Sequence, residues 1–293
     1  IFLRPIIETI TGYKAKPYLT DTNTLYPGMR WNAVDHIHNA NLNGFNYSTL
    51  QTPIIIADGL RGEDFREVPI PGGQLAQTAK LATGILNADA LVMVSHFKGH
   101  ELTGFGGAIK NLSMGCASRA GKQAMHSVSK PEVNKHKCTA CGRCKSVCQA
   151  KAITISGTAT IMENCTGCVR CVGTCPEHAI MPKFDNASGN VQKMLAEYAK
   201  AVTSSFTKPI IYINVLTSIV PACDCMPGND APVTHDLGFM ASTDPLAIDR
   251  ASFEMVKESC GGRDPFVASG EPQLEHAKLI GLGDADYTIE NLD

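Results

Sequence analysis

Two cysteine runs constrain this chain more than any other feature: Cys138-x-x-Cys141-x-x-Cys144-x-x-x-Cys148 and Cys165-x-x-Cys168-x-x-Cys171-x-x-x-Cys175-Pro176. Eight of the 12 cysteines fall between Cys138 and Cys175. A segment of roughly 50 residues buries too little core to fold unaided, so its thiols must supply the missing stabilisation. Disulfide stapling belongs to short chains with cysteines spread along their length, which is not the pattern here. Three thiolates spaced two residues apart can instead wrap three corners of one [4Fe-4S] cubane, while the fourth is carried onward to a neighbouring cubane. Cys138, Cys141, Cys144 and Cys175 then hold one cluster, and Cys165, Cys168, Cys171 and Cys148 the other. Each centre has four protein thiolates and no open iron site, which suits outer-sphere electron transfer. A pair of zinc ribbons is the alternative, since paired CxxC motifs also make four-thiolate zinc sites. It leaves the third two-residue spacing and the Cys-Pro tail unexplained. A further alternative keeps the clusters but gives them only a structural role.

The rest of the chain reads as α/β. At 293 residues it is long enough for one large domain or two ordinary ones. Residues 2–12 look like the end of a helix and 16–19 like a short strand opening into Thr20-Asp21-Thr22-Asn23-Thr24. Met29, Trp31, Val34, Ile37, Ala40 and Leu42 recur at helical spacing, with Trp31 read as core packing. Strands are expected at 53–57 and 90–95 and a helix at 74–86. After the cysteines, 190–203 reads as a helix, 209–215 as a central strand and 245–257 as a helix. This alternation predicts a mostly parallel sheet with helices on both faces. Residues 131–183 then form a small α+β insert, with a hairpin at 153–161 around Gly157, inside an α/β domain of residues 1–130 and 184–293.

Charge and hydropathy exclude two classes of partner. With 26 Lys and Arg against 28 Asp and Glu, the chain lacks the basic excess that phosphate backbones require, so nucleic acid is not expected. No stretch approaches the roughly 18 uncharged apolar residues of a membrane span. The chain opens on Ile1 instead of Met, so upstream residues are expected to have been lost, a targeting peptide being one candidate among them.

A second candidate site follows the 90–95 strand, at the carboxyl end where ligands bind in open α/β sheets. His96, Lys98 and His100 lead into Gly104-Phe105-Gly106-Gly107-Ala108-Ile109-Lys110-Asn111, ending at Cys116. Gly106 and Gly107 let backbone N-H groups approach an anion, which Lys98 and Lys110 can neutralise. His96 and His100 can move protons; the plainer role for both is capping loop backbone. Asp21, Asn111 and Cys116 are candidate lining of the same crevice. The turn matches neither the Walker nor the dinucleotide fingerprint, so no nucleotide is assigned. Cys223 and Cys225 flank Asp224 and suit a metal, a redox pair or a tight loop. Cys260, at a helix end, is read as structural. Ser242-Thr243-Asp244-Pro245 fits a capped helix start, and Asp249 on that helix can face the site or solvent.

The 131–183 segment resembles the bacterial two-cluster ferredoxin domain, with one departure: Gln149 follows Cys148 where the usual pattern has proline. The ligand set survives, and the departure bears on the local turn and the potential of that cluster. The flanking segments resemble the family catalogued as domain of unknown function 362, whose members often carry such an insert. That resemblance rests on 19–26 (LTDTNTLY), 96–100 (HFKGH), 106–111 (GGAIKN) and 242–249 (STDPLAID). It implies that an N-terminal strand region is absent here, and the family offers no settled reaction to import.

The expected function is an iron-sulfur electron-transfer protein in a reducing cytoplasm, with two [4Fe-4S] clusters relaying electrons to a small anionic molecule at the His96–Lys110 segment. One rival is a non-catalytic carrier that docks a redox partner protein through Lys135, Lys137, Arg143 and Lys145. Another is metal or cofactor handling by Cys223, Cys225 and the histidines.

Overall fold

The computed structural model describes residues 2–25, 28–126, 131–148, 150–165, 170–181, 188–223 and 230–292. The chain forms two compact units, each assembled from three stretches. The first takes Ile1–Arg66, Lys80–Asn87 and Cys116–Phe184, and the second Glu67–Ala79, Ala88–Gly115 and Asp185–Asp293. Among the described residues, no helix is long and apolar enough to cross a membrane.

In the first unit, strand Leu19–Asp21 pairs in parallel with Ile54–Ile56, and helix Ala33–Leu42 follows. Asn32 caps that helix by accepting from the Asp35 N-H at 3.1 Å, as an N-terminal Asn is suited to do. The apolar periodicity places the helix correctly but not its buried face: Ala33 and His36 are buried while Val34 and Leu42 are exposed. The cysteine-rich part of this unit is built on a repeat. Hairpin Ile153–Ser156/Thr158–Ile161 turns at Gly157, whose φ of 71° an L side chain resists, and Glu132–Val133 pairs antiparallel with Ile180–Met181. Helical turns Arg143–Ser146 and Arg170–Thr174 carry Cys144 and Cys171. Positions 27 apart repeat the same local geometry: the N-H of Lys151 and of His178 each bonds the carbonyl of the cysteine three residues back, Cys148 or Cys175, and both residues have positive φ. Cys144, Cys171, Ile153, Ile180, Ala159, Val172 and Leu25 form one buried core, with Trp31, Cys138, Cys148 and Cys175 packed against it.

The second unit centres on a three-stranded sheet. Ile211–Leu216 runs between Val92–His96, which is parallel to it, and Gly238–Ser242, which is antiparallel. Helices Ser188–Ser205, Pro245–Ser259 and Glu271–Leu279 belong to the same unit. Phe105 stacks on Phe97 and on Phe253, with ring centroids 5.0 and 5.1 Å apart, in the offset range that aromatic rings prefer. Glu197, fully buried, accepts from the N-H groups of Gln74, Leu75 and Ala76 and from His276 Nε2.

The protein is a mixed α/β fold, yet the expected mostly parallel sheet is not what forms. Among the described residues the strands make small sheets. Leu19–Asp21/Ile54–Ile56 and Val92–His96/Ile211–Leu216 are parallel, whereas four other pairings are antiparallel. Alternation of apolar segments tells which stretches are buried but not how they pair: tight turns at Gly157 and before Gly104 return two strands antiparallel, and the other two antiparallel pairs join strands separated by long connections. Residues 74–86 correct a second expectation. Instead of one helix they form strand Thr78–Ala82 and the short helical turn Thr83–Leu86. Their Ala, Leu, Gln and Lys content favours helix, but Ala79 and Leu81 are fully buried while Thr78 is exposed, so burial follows the period of a strand. The other expected elements form within a few residues of their anticipated ends, including Leu3–Gly12, Ser188–Ser205 and Pro245–Ser259.

Candidate functional site

Cys138, Cys141, Cys144 and Cys175 line one pocket in the first unit. Ala140 and Gly142 hold left-handed φ angles of 54° and 76°, which curl the 138–144 segment so that its three thiols face the same space. Cys175 arrives from the second run, and Ile155, Ala159 and Ile180 supply apolar wall. Backbone N-H groups point at sulfur: Ala159 donates to Cys138 Sγ at 3.3 Å, Ala179 to Cys175 Sγ at 3.3 Å and Ala152 to Cys148 Sγ at 3.2 Å. Burial pushes the Cys144 thiol up; the Lys145 N-H opposes it, and Cys175, Cys138 and Cys141 push the same way as burial. Of the second expected set, Cys171 is buried in the core and Cys148 and Cys165 are half-buried; Cys168 lies outside the described residues. Among the described residues, no three His, Cys, Asp or Glu side chains converge on a single-ion site.

The first unit also contains a group of charges that sequence patterning did not reveal. Lys122, buried, donates to Thr22 Oγ1, to the Asn23 carbonyl at 2.8 Å and to the Ala117 carbonyl at 3.1 Å. Asp58 Oδ1 accepts from Asn23 N and Nδ2 at 3.0 and 2.8 Å. Burial raises the Asp58 carboxyl, with Lys122 opposing, and burial lowers the Lys122 ammonium, with Asp58 and Asp21 opposing. Asp21 sits 3.5 Å from His36 Nε2; burial works to raise its carboxyl, but His36 and Lys122 outweigh it and hold it low. Arg119 donates to the Thr24 and Trp31 carbonyls and lies 4.4 Å over the Trp31 ring. Trp31 meets the His178 ring edge-on at 5.7 Å. Cys116 is sealed here, where burial pushes its thiol up to about 12, so it stays protonated. Asp21 and Cys116, read from sequence as lining near His96, are thus placed in the first unit with these partners.

The remaining candidates belong to the second unit. His96 Nε2 donates to the Thr217 carbonyl at 2.9 Å, and Lys98 Nζ to the His96 carbonyl at 3.2 Å. Lys98–His100 and Gly104–Gly106 form an antiparallel hairpin in which Lys98 faces Gly106. His100 Nδ1 accepts from the N-H groups of Leu102 and Thr103, which caps the hairpin turn. Asn111 Nδ2 donates to the Val94 carbonyl at 2.9 Å and tethers the end of the Val92–His96 strand. Lys110 Nζ reaches Cys223 Sγ at 3.6 Å, which brings Cys223 into this corner. Asp224 and Cys225 lie outside the described residues.

The Gly-rich turn does cradle an anion, and that anion is the chain's own Asp249. Its buried carboxylate accepts from Ala108 N at 2.7 Å, Ile109 N at 2.8 Å and Asn214 Nδ2 at 2.8 Å. Gly107 makes this possible, because a Cβ there would stand 2.3 Å from Asp249 Oδ1. A polar Asn214 inside an otherwise apolar strand was the available sequence signal, since a buried amide requires a partner. Burial raises the Asp249 carboxyl to about 6 against the three donors. The native state therefore binds a proton more tightly than the unfolded chain, and the stability this lends is present in acid and lost as pH rises through about 6. We expect unfolding free energy to fall by about 3 kcal/mol between about pH 4 and 7 on this account, and Asp249→Asn to abolish that slope. An unchanged slope in the variant would assign the linkage elsewhere.

Comparison with known proteins gives one result. The family model described as Domain of unknown function (DUF362) matches residues 1–254. No curated protein and no solved structure matches the chain.

Proposed function

The chain belongs to the family described as Domain of unknown function (DUF362), and on that premise we propose that it is an iron-sulfur electron-transfer protein. In this reading it holds two [4Fe-4S] clusters and passes electrons to a small anionic molecule bound by His96, Lys98, His100 and Lys110. Family membership brings no reaction with it, so the reading rests on the sites. The observation that carries it is the arrival of Cys175, from the second run, in the pocket that Cys138, Cys141 and Cys144 line. An all-thiolate pocket with amide N-H groups aimed at its sulfurs fits a cubane, whose sulfurs accept such bonds.

The clusters supply one-electron chemistry. Everything else falls to the chain. Amides of Ala159 and Ala179 withdraw electron density from Cys138 and Cys175 and so favour the reduced state. Ile155 and Ile180 limit water at the pocket. In the second unit, Lys98 and Lys110 attract the anion. His100, whose Nδ1 is an acceptor, holds any transferable proton on Nε2.

Anaerobically prepared protein is expected to contain about eight irons and eight acid-labile sulfides per chain. Stoichiometric zinc in their place refutes the proposal. The exposure of Lys135, Lys137, Arg143 and Lys145 favours the carrier reading as a second possibility, with an acidic redox partner protein as the acceptor. Charge reversal at these four positions should then block electron delivery while leaving iron content unchanged; unimpaired delivery counts against docking there.

A further inference from the structure

We propose that Cys223 is a reactive thiolate, held ionised by the Lys110 ammonium, and that it exchanges with small anionic disulfides attracted by Lys98 and Lys110. The chemistry needs no cluster and goes beyond the electron-transfer reading. Two other thiols outside the cysteine runs behave differently. Cys116 is sealed and protonated, and the Cys260 thiol donates to the Val233 carbonyl at 3.6 Å, as a neutral S-H does. Cys223 is also buried, at 7% exposure, but there the sulfur accepts from an ammonium 3.6 Å away. An adjacent cation favours the thiolate, and the thiolate is the nucleophile.

The position of the pair is built into the fold. Gly99 donates to the Val220 carbonyl at 2.8 Å, and a Cβ at Gly99 would come within 1.9 Å of the Pro221 carbonyl oxygen. Only glycine lets the chain leading to Cys223 lie this close to the hairpin. Glu101 Oε1 then accepts from the Cys223 N-H at 3.3 Å and fixes the residue from the other side. Lys98 and Gly106 are direct cross-strand partners, so their Cβ directions share one face. Lys110 lies over that face, its Cδ 3.0 Å and its Nζ 3.5 Å from where a Gly106 Cβ would stand. Lys98 and Lys110 therefore share the Gly106 face, the Cys223 sulfur lies 3.6 Å from the Lys110 ammonium, and the Glu101 carboxylate accepts from the Cys223 N-H. A carboxylate-bearing disulfide suits that corner. The Cys223 thiolate attacks one sulfur, a new S-S bond forms, the old one breaks, and the leaving thiolate departs with its electron pair and takes a proton from water.

Alkylation of the full chain, prepared anaerobically, tests this when labelling at Cys223 is followed by peptide mass spectrometry across about pH 6 to 10. Iodoacetamide, which is neutral, and iodoacetate, which is anionic, are used in parallel. The expected midpoint lies below the ordinary thiol value of about 8.5, and the iodoacetate-to-iodoacetamide rate ratio exceeds that of free cysteine. Lys110→Met should raise the midpoint by about one pH unit or more and lower the ratio. Lys98→Gln should lower the ratio and leave the midpoint nearly in place. Lys110→Arg keeps the charge and should keep the low midpoint, which serves if the Met variant does not fold. Glutathione disulfide should form a mixed disulfide at Cys223. A wild-type midpoint at or above about 8.5, a Cys223 that stays unlabelled, or a midpoint indifferent to Lys110→Met overturns the proposal.

Discussion

Replacing Cys175 with Ala is expected, on the proposed iron-sulfur reading, to remove the cluster of Cys138, Cys141 and Cys144, although those residues lie 31 to 37 positions earlier in the chain, because the pocket takes its fourth thiol from the second run. Iron and acid-labile sulfide should drop by about half, from about eight of each to about four. One of two paramagnetic signals should vanish on reduction. The loss should also loosen the surrounding core, since the Ala179 N-H, next to buried Ile180, loses its sulfur acceptor. Cys148→Ala makes the matching test, as it should spare that centre and deplete the other. If each variant instead disrupts the cluster of its own run, the crossed ligand set is wrong.

Lys122→Met is the second large effect. The substitution keeps much of the side chain's volume but removes a cation that three oxygens, Thr22 Oγ1 and the Asn23 and Ala117 carbonyls, depend on. It also leaves Asp58 buried without its main positive neighbour. Removing one partner from a buried charge group costs far more than a surface ion pair is worth, and about 3–5 kcal/mol of unfolding free energy should be lost. Chemical denaturation reads the loss. Asp58→Asn in the Lys122→Met background should recover part of it, because the uncompensated charge is then gone. A single-variant loss below about 1 kcal/mol would mean that water, not Lys122, satisfies these acceptors.

Both predictions involve residues whose legibility differed sharply. The grouping of Cys175 with Cys138, Cys141 and Cys144 in one pocket was expected from spacing, because cysteines at fixed short intervals leave few ways to converge. Lys122, Asp58 and His36 carried no such mark. Each is an ordinary polar residue whose local sequence names no partner, and only the approach of the 22–24 loop to the helix at Arg119–His126 turns them into one buried group. Asp249 lies between these cases. Its helix was legible from Asp244 and Pro245 at the start, and Asp244 does cap it by accepting from Leu246 and Ala247 N-H. That Asp249 would receive the amides of the Gly-rich turn was not, because those amides suit an external anion equally well. Likewise Lys110 was legible as a cation near glycines, while its contact with Cys223 was not.

By itself, the amino-acid order determined what is set by local intervals: the turns that carry thiols, the hairpin around Gly157, the capped helix from Pro245, and which stretches are apolar enough to be buried. Tertiary structure alone decided how the strands outside that hairpin pair and in which direction, which face of the Ala33–Leu42 helix is covered, and which charges are enclosed together. Local intervals are enforced by covalent geometry within a few residues. Pairing and burial depend on segments tens to more than a hundred positions apart excluding the same water, and no short stretch of sequence carries that information.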